Sequence, residues 1–191
     1  MEEEILYKII LVGESGVGKS SILVRFTDNT FSQHFAPTLG VFVKTIRNKE
    51  TGQTVKLQLW DTAGQERFKS ITQFYRGSHG VIVVYDVTDP KSFERLKNWV
   101  EDINQYTQDG MIIILVGNKS DMVAQRKVTF EQGQEMAEQL KTKFLEVSAK
   151  ENNGVTQVFD LLVQDIEATM KNSKVAQNQL NLSVGQERGC C

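Results

Sequence analysis

The stretch that decides the fold is Tyr7–Ser20, which reads Tyr-Lys-Ile-Ile-Leu-Val-Gly-Glu-Ser-Gly-Val-Gly-Lys-Ser. Its first half, Tyr7–Val12, is almost continuously apolar, as is typical of a strand buried on both faces of a sheet. Its second half, Gly13–Ser20, matches the pattern Gly-x-x-x-x-Gly-Lys-Ser, and a helical pattern opens at Lys19. A glycine-rich loop between a strand and a helix turns backbone N–H groups toward a polyphosphate. We therefore predict a phosphate-binding loop in which Lys19 reaches the phosphates and the Ser20 hydroxyl is a Mg²⁺ ligand.

Apolar runs of strand length recur along the rest of the chain, and helical patterns lie between most of them. The further predicted strands are Leu39–Ile46, Val55–Asp61, Val81–Tyr85, Ile112–Val116 and Phe144–Val147. Helices are predicted from Lys19, over Phe93 to Ile103, from a Thr129 cap to about Lys141, and from Val155 to about Lys171. Strands that alternate with helices indicate an α/β fold with a mostly parallel sheet covered on both faces. We expect one domain over residues 1–171 and a flexible tail over 172–191.

Composition narrows the function classes. The chain has 191 residues, enough for one domain, and a net charge of −2 from 22 basic and 24 acidic residues. This balance argues against a nucleic-acid binder that works by charge. An acidic start and the lack of a long apolar run indicate neither a secretory signal nor a membrane span. The two cysteines, Cys190 and Cys191, are adjacent and cannot form a disulfide that stabilises the fold. A chain without stabilising disulfides suits a reducing compartment, so we expect a cytoplasmic protein.

A second motif, Asp61-Thr62-Ala63-Gly64-Gln65-Glu66, follows the predicted strand segment Val55–Trp60. A carboxylate at the end of a strand beside a phosphate loop suits a Mg²⁺ site, which assigns Asp61 to the metal. Gly64 allows its N–H to approach a terminal phosphate closely. The amide of Gln65 can hold a water molecule and aim it at phosphorus, so we expect Gln65 and Lys19 to be the catalytic residues.

A third constellation consists of two loops that follow predicted strands. Asn118-Lys119-Ser120-Asp121 follows Ile112–Val116, and Ser148-Ala149-Lys150 follows Phe144–Val147. Both loops belong to the carboxyl edge of the sheet, where ligands bind in α/β folds. The carboxylate of Asp121 can accept hydrogen bonds from N1–H and the exocyclic amine of guanine, whereas adenine would leave it unpaired. Asn118 would brace the loop, and the stem of Lys119 would lie along the base.

With these motifs in this order, the sequence resembles the Ras superfamily of small GTP-binding proteins from about Tyr7 to Lys171. The strings Trp60–Phe68 and Phe74–Gly77 are similar to the second switch of the Rab family. The resemblance implies a P-loop G domain of three α/β/α layers, with a six-stranded sheet that has one antiparallel edge strand, and about five helices. It also implies that Thr38 completes the Mg²⁺ shell beside Ser20 and Asp61, and that Phe31 stacks on guanine. The nucleotide-binding set is then Ser15, Gly16, Val17, Gly18, Lys19, Ser20, Ser21, Phe31, Thr38, Asp61, Gly64, Asn118, Lys119, Asp121, Ser148, Ala149 and Lys150.

Two positions depart from the Rab pattern. Phe35 stands where the family often has tyrosine. Leu39-Gly40-Val41-Phe42-Val43 has phenylalanine where Rab proteins usually have an acidic residue, on the strand where effectors and regulators dock. The Thr-Leu-Gly-Val string is also similar to the nuclear-transport branch, but that branch lacks terminal cysteines. We interpret Trp60, Phe74 and Tyr75 as a docking surface rather than as core, because exposed aromatic residues are enriched at interfaces.

The resemblance implies a switch that binds GTP and GDP with Mg²⁺ and regulates vesicle trafficking. We expect slow hydrolysis that a GTPase-activating protein accelerates, since the sequence shows no arginine aimed at the phosphates in cis. The implied partners are this activating protein, an exchange factor, a GDP-dissociation inhibitor, the prenylation machinery and GTP-dependent effectors at the switches; nucleic acid is not among them, and we expect a monomer. Cys190 and Cys191 resemble the double geranylgeranyl signal, which would anchor the protein to the cytosolic face of an endomembrane.

Three other interpretations remain open from the sequence. A P-loop kinase would need an acceptor pocket or a lid, for which the connections look too short. A scaffold that binds GTP permanently is disfavoured by Thr38, Gly64 and Gln65. An α/β domain whose motifs are coincidental would have to match all three motifs in order.

Overall fold

The computed structural model describes residues 5–32, 40–48, 52–62, 75–107 and 111–186, with side chains to residue 172 in the last range. Several residues singled out in the sequence lie outside this part of the chain: Phe35, Thr38, Leu39, Gly64, Gln65, Phe74, Cys190 and Cys191. Their predicted roles stay predictions.

Six strands form one sheet in the order β2-β3-β1-β4-β5-β6. The strands are β1 Ile5–Val12, β2 Gly40–Arg47, β3 Thr54–Asp61, β4 Gly80–Asp86, β5 Ile112–Asn118 and β6 Lys143–Glu146. The edge strand β2 runs antiparallel to β3, and all other neighbours are parallel. This topology confirms the predicted α/β fold, including its single antiparallel edge strand.

Five α-helices lie in the described part of the chain. They are α1 Lys19–Asp28, α2 Pro90–Glu94, α3 Leu96–Tyr106, α4 Phe130–Leu140 and α5 Val155–Gln186, with a short 3₁₀ turn at Val123–Gln125. The Thr129 cap of α4 is confirmed, because its side chain accepts from the Gln132 N–H and the Gln132 side chain accepts from the Thr129 N–H. None of these helices is long and apolar enough to cross a membrane.

The two faces of the sheet bury separate apolar clusters. On one face, Ile22 and Leu23 of α1 and Phe159 and Leu162 of α5 pack against β1, β3, β4 and β5. On the other, Trp99 and its neighbours on α3 pack against the opposite side chains of β1, β4 and β5. Every residue of β4 is buried, as expected of a central parallel strand. The strands therefore hold the loops at their carboxyl ends on a rigid support.

Two helix boundaries differ from the predicted pattern. The helix predicted over Phe93 to Ile103 is divided at Arg95, and Asp89 caps its first part by accepting from the Lys91 N–H. The last helix was predicted to end near Lys171, but its backbone continues to Gln186. Adding a residue to an existing helix gains one hydrogen bond without a new nucleation cost, so a polar extension can remain helical. Whether residues 172–191 behave as a separate tail stays a prediction.

The interpretation of Tyr75 as part of a docking surface is wrong. Tyr75 is only 1% exposed and belongs to the apolar cluster beneath α3. Burying a large side chain of this kind stabilises the fold by about 1.5–3 kcal/mol relative to exposure. Trp60 is half-buried against the same cluster, and the Lys8 ammonium lies 5.0 Å from the centre of its ring.

Candidate functional site

The loop between β1 and α1 takes a path that only glycine permits at two points. Gly13 has φ +139°, and a Cβ there would lie 2.2 Å from the backbone oxygen of Val84 on β4. Gly18 precedes α1 with φ +97°, and a Cβ there would lie 2.3 Å from Nδ2 of Asn118. The loop therefore packs directly on its neighbours, and any larger residue would push it out of place.

Lys19 is held inside this loop. Its side chain is nearly buried, and Nζ donates to the backbone oxygens of Gly13 at 2.8 Å and Glu14 at 2.9 Å. The first turn of α1 contains no acidic residue, so no carboxylate there competes for the positive end of the helix. A buried ammonium beside a helix N-terminus is suited to a phosphate group.

The two described residues predicted to bind the metal lie in direct contact. The Ser20 hydroxyl donates to Oδ2 of Asp61, and Asp61 is 2% exposed. Asp61 ends β3 and pairs with Leu11 near the end of β1, which places it beside the phosphate loop. A hydroxyl and a carboxylate are hard oxygen donors that fit Mg²⁺. Within the described part of the chain, no group of three or more His, Cys, Asp or Glu could hold a metal ion.

A cavity of about 320 Å³ opens next to the phosphate loop. Its walls include Gly16 and Phe31 on one side, and Asn118, Asp121 and Lys150 on the other. Small-molecule pockets begin at about 300 Å³, so the space accommodates a ligand of nucleoside size. The structure thus brings Phe31, the predicted stacking residue, to the same cavity as the loops that follow β5 and β6.

Asn118 connects three loops around this cavity. It is 2% exposed; its Nδ2 donates to the backbone oxygen of Val17 at 2.9 Å, and its Oδ1 accepts from the Ala149 N–H at 3.3 Å. The side chain therefore ties the phosphate loop to both loops of the third constellation, which is the bracing position expected from the sequence.

Asp121 is oriented by its neighbours. Its Oδ1 accepts a 2.6 Å hydrogen bond from the Ser148 hydroxyl, and Nζ of Lys150 lies 3.9 Å from its Oδ2. The same hydroxyl of Ser148 accepts from the Glu151 N–H, so it is itself fixed. A carboxylate held in this way at a cavity wall can read paired N–H donors on a ligand.

Lys119 crosses from the end of β5 to the phosphate loop. It has φ +67°, and its Nζ donates to the backbone oxygen of Gly16 at 3.0 Å and contacts Oδ2 of Asp86 at 2.6 Å. Because the ammonium is held by the Gly16 carbonyl and the Asp86 carboxylate, the aliphatic stem of Lys119 lies along one side of the cavity.

Sequence reasoning missed three residues of this region. Asp86 ends β4 at the same edge of the sheet, so its position at a strand end could have identified it. Arg25 of α1 binds the loop at 149–150, and Arg95 binds the side chain of Glu14 at 2.7 Å. Neither arginine carries a local sequence signal, because each acts on a partner that is distant in the chain.

Comparison with known proteins gives concordant matches. Residues 8–168 match the Ras family. The chain is 95% identical to Ras-related protein RabC of Dictyostelium discoideum, with 100% of both chains covered. It is 45% identical to GTP-binding protein ypt1 of Schizosaccharomyces pombe, covering 98% of this chain and 93% of that one. Identity to Ras-related protein Rab-1A of Dictyostelium discoideum is 43%, over 97% and 96% of the two chains.

Proposed function

Because the chain belongs to the Ras family and, within it, to the Rab proteins, we propose that the loops described above carry its guanine-nucleotide chemistry. The protein is a small GTPase: it binds GTP and GDP with Mg²⁺, hydrolyses GTP, and acts as a molecular switch in vesicle trafficking. As a Rab protein it works with exchange factors, activating proteins, a GDP-dissociation inhibitor and effectors, and associates peripherally with endomembranes. The proposal concerns which residues do this.

The phosphates bind along the loop from Ser15 to Ser21 and at the start of α1. The anchored Lys19 ammonium and the backbone N–H groups neutralise and orient them. Ser20 and Asp61, together with Thr38, would hold Mg²⁺, which would supply neutralisation of negative charge on the phosphates. The direct contact between the Ser20 hydroxyl and the buried Asp61 carboxylate supports this assignment.

We propose that guanine binds in the 320 Å³ cavity. The position of this cavity, beside the phosphate loop and with Asp121 on its wall, is the single observation that carries the proposal. Asp121, held by Ser148, accepts from the N–H groups of guanine, while Phe31 and the stem of Lys119 flank the ring. Asn118, Ala149 and Lys150 keep the surrounding loops in register.

In the reaction, a water molecule attacks the γ-phosphorus of GTP, and GDP and phosphate leave. We propose that Gln65 orients this water and that Gly64 and Thr38 respond to the γ-phosphate, so that its loss releases both switches. Arg95 reaches the phosphate loop, but its guanidinium is engaged with the Glu14 carboxylate. Intrinsic hydrolysis is therefore slow, and an activating protein supplies an arginine in trans.

Single-turnover phosphate release from protein loaded with GTP tests these roles. Replacing Gln65→Leu should preserve nucleotide binding and abolish turnover accelerated by an activating protein. Gln125→Leu, in the 3₁₀ turn and outside the phosphate site, is the matched control and should hydrolyse GTP normally. Normal turnover in the Gln65→Leu protein would contradict the water-positioning role.

Effectors and regulators dock beside the switches, on the face formed by β1, β2 and β3. Val41 and Val43 of β2 are 47% and 54% exposed, and Leu6 of β1 is exposed on the same sheet. The replaced acidic position, Phe42, instead packs against the core. The apolar character of this strand supports a partner with a complementary apolar surface.

We further propose that Cys190 and Cys191 carry two lipid chains, because one chain gives only marginal membrane attachment and two give a stable anchor. This would place the protein on the cytosolic face of an endomembrane. Removing both cysteines should shift the protein to the supernatant of a membrane sedimentation assay without changing GTP affinity. Continued pelleting of the truncated protein would overturn the anchor.

A further inference from the structure

We propose that Arg25 is a positioning residue for the guanine-binding loop and sets how long a nucleotide stays bound. The inference rests on the proposed function, since it assigns a role at the same cavity. Arg25 is not among the residues that line the cavity, but its guanidinium binds the backbone oxygens of Ala149 and Lys150, which do line it.

The contact between Arg25 and this loop is a fork. Nε donates to the backbone oxygen of Ala149 at 2.8 Å, and Nη2 donates to the backbone oxygen of Lys150 at 3.0 Å. Both acceptors are more than one hundred residues away along the chain, so the fork joins α1 to the segment after β6. Two carbonyls of consecutive residues held by one rigid group fix the orientation of the peptide between them.

The remaining nitrogen of the guanidinium holds a third segment. Nη1 donates to the backbone oxygen of Asn29 at 2.8 Å, and Asn29 ends α1 in a left-handed conformation with φ +55°. The side chain of Asn152 donates to Oδ1 of Asn29 at 3.0 Å, which adds a second link between the same two segments. Phe31 follows two residues after Asn29 and lines the cavity.

Arg25 therefore couples three parts of the site. Helix α1 starts at the phosphate-binding Lys19, the loop at 149–150 faces the base, and the segment from Asn29 leads to the stacking residue Phe31. Without the guanidinium, the two loops would be free to move away from the base while the phosphate loop kept its own contacts. The expected effect is faster nucleotide release with an unchanged chemical step.

A lysine cannot replace this arrangement fully. Its ammonium is a compact point charge that cannot donate in a planar fork to two carbonyls and a third acceptor together. Arg25→Lys should therefore slow nucleotide release less than arginine does. Arg25→Met should not slow nucleotide release at all, although its side chain keeps a similar aliphatic volume.

Dissociation of a fluorescent GDP analogue from the full-length protein tests the proposal. Arg25→Met should release the analogue at least about tenfold faster than wild type, because charge-assisted hydrogen bonds to the loop are lost. Arg25→Lys should fall between the two. The matched control is Arg47→Met, which removes an arginine that donates to a backbone oxygen of the β2–β3 hairpin at the far end of β2; its release rate should equal that of wild type.

Single-turnover hydrolysis of preloaded GTP separates positioning from general structural damage. The rate constant for hydrolysis of bound GTP in Arg25→Met should stay within about twofold of wild type, because the guanidinium donates to Asn29, Ala149 and Lys150, none of which is assigned to the phosphates. The positioning role would be overturned if Arg25→Met released the analogue less than about threefold faster than wild type. It would also be overturned if the rate constant for hydrolysis fell by as large a factor as the release rate rose. If wild-type protein failed to bind the analogue at all, the proposed function itself would fail.

Discussion

Replacing Asn118 with alanine should weaken guanine-nucleotide binding strongly. The substitution removes the 2.9 Å bond to the backbone oxygen of Val17 and the 3.3 Å bond from the Ala149 N–H, and it leaves both buried groups without these partners. An unsatisfied buried group costs about 1–3 kcal/mol, and the longer bond contributes at the lower end, which gives about 2–4 kcal/mol in total. Both hydrogen bonds join loops of one cavity, so in the variant a nucleotide must order these loops when it binds. The lost free energy of the two bonds therefore appears as weaker affinity for the nucleotide.

This free energy corresponds to a roughly 30- to 700-fold increase in the dissociation constant for GDP. Equilibrium titration of a fluorescent GDP analogue measures it. Asn104→Ala, the same chemical change on the exposed side of α3, is the control and should bind within about twofold of wild type. If Asn118→Ala bound GDP within threefold of wild type, the bracing role of this side chain would be refuted.

Three further predictions follow from single contacts. Tyr85 is fully buried, and its hydroxyl has no hydrogen-bond partner among the described residues. Burial, and then the charge of Glu146, raise the pKa of this hydroxyl. Because Tyr85→Phe removes a buried hydroxyl without breaking a hydrogen bond to a described residue, it should leave the free energy of unfolding unchanged or raise it by up to about 1 kcal/mol. Thermal unfolding at saturating GDP measures this change. Gly133→Ala would place a Cβ 2.3 Å from the ring of Phe144, and should lower stability by about 1–3 kcal/mol in the same assay, whereas Gln134→Ala on the exposed face should not. Burial lowers the pKa of His79, while its Nδ1 accepts from the Lys8 N–H. As pH falls below 6.5, His79 therefore takes up a proton more readily in the unfolded chain than in the folded one, and the free energy of unfolding falls. Urea unfolding at pH 7.5 and 5.5 should show a larger fall in this free energy for wild type than for His79→Gln. Equal falls in the two proteins would contradict this.

Local patterns predicted most of the framework. The apolar runs of β1, β4 and β5 identified buried parallel strands because such strands must be apolar on both faces. The Thr129 helix cap and the glycines of the phosphate loop could also be predicted, because each position has a local backbone requirement.

Features that depend on distant parts of the chain could not be predicted in this way. The burial of Tyr75 results from its packing beneath α3, which no local pattern indicates. The division of the helix at Arg95 accompanies a salt bridge to Glu14, more than eighty residues away. The contacts of Arg25 with the loop at 149–150, and of Lys119 with Asp86, are set by the sheet order rather than by sequence spacing.

The central claim, that Asp121 selects a guanine nucleotide in the cavity beside the phosphate loop, is tested most directly by changing its hydrogen-bonding character. Asp121→Asn presents an amide N–H where the carboxylate accepts, and xanthine offers an oxygen where guanine offers an amine. We predict that wild type binds GDP far more tightly than xanthosine diphosphate, and that Asp121→Asn reverses this preference. Retained preference for GDP in the variant would contradict the account.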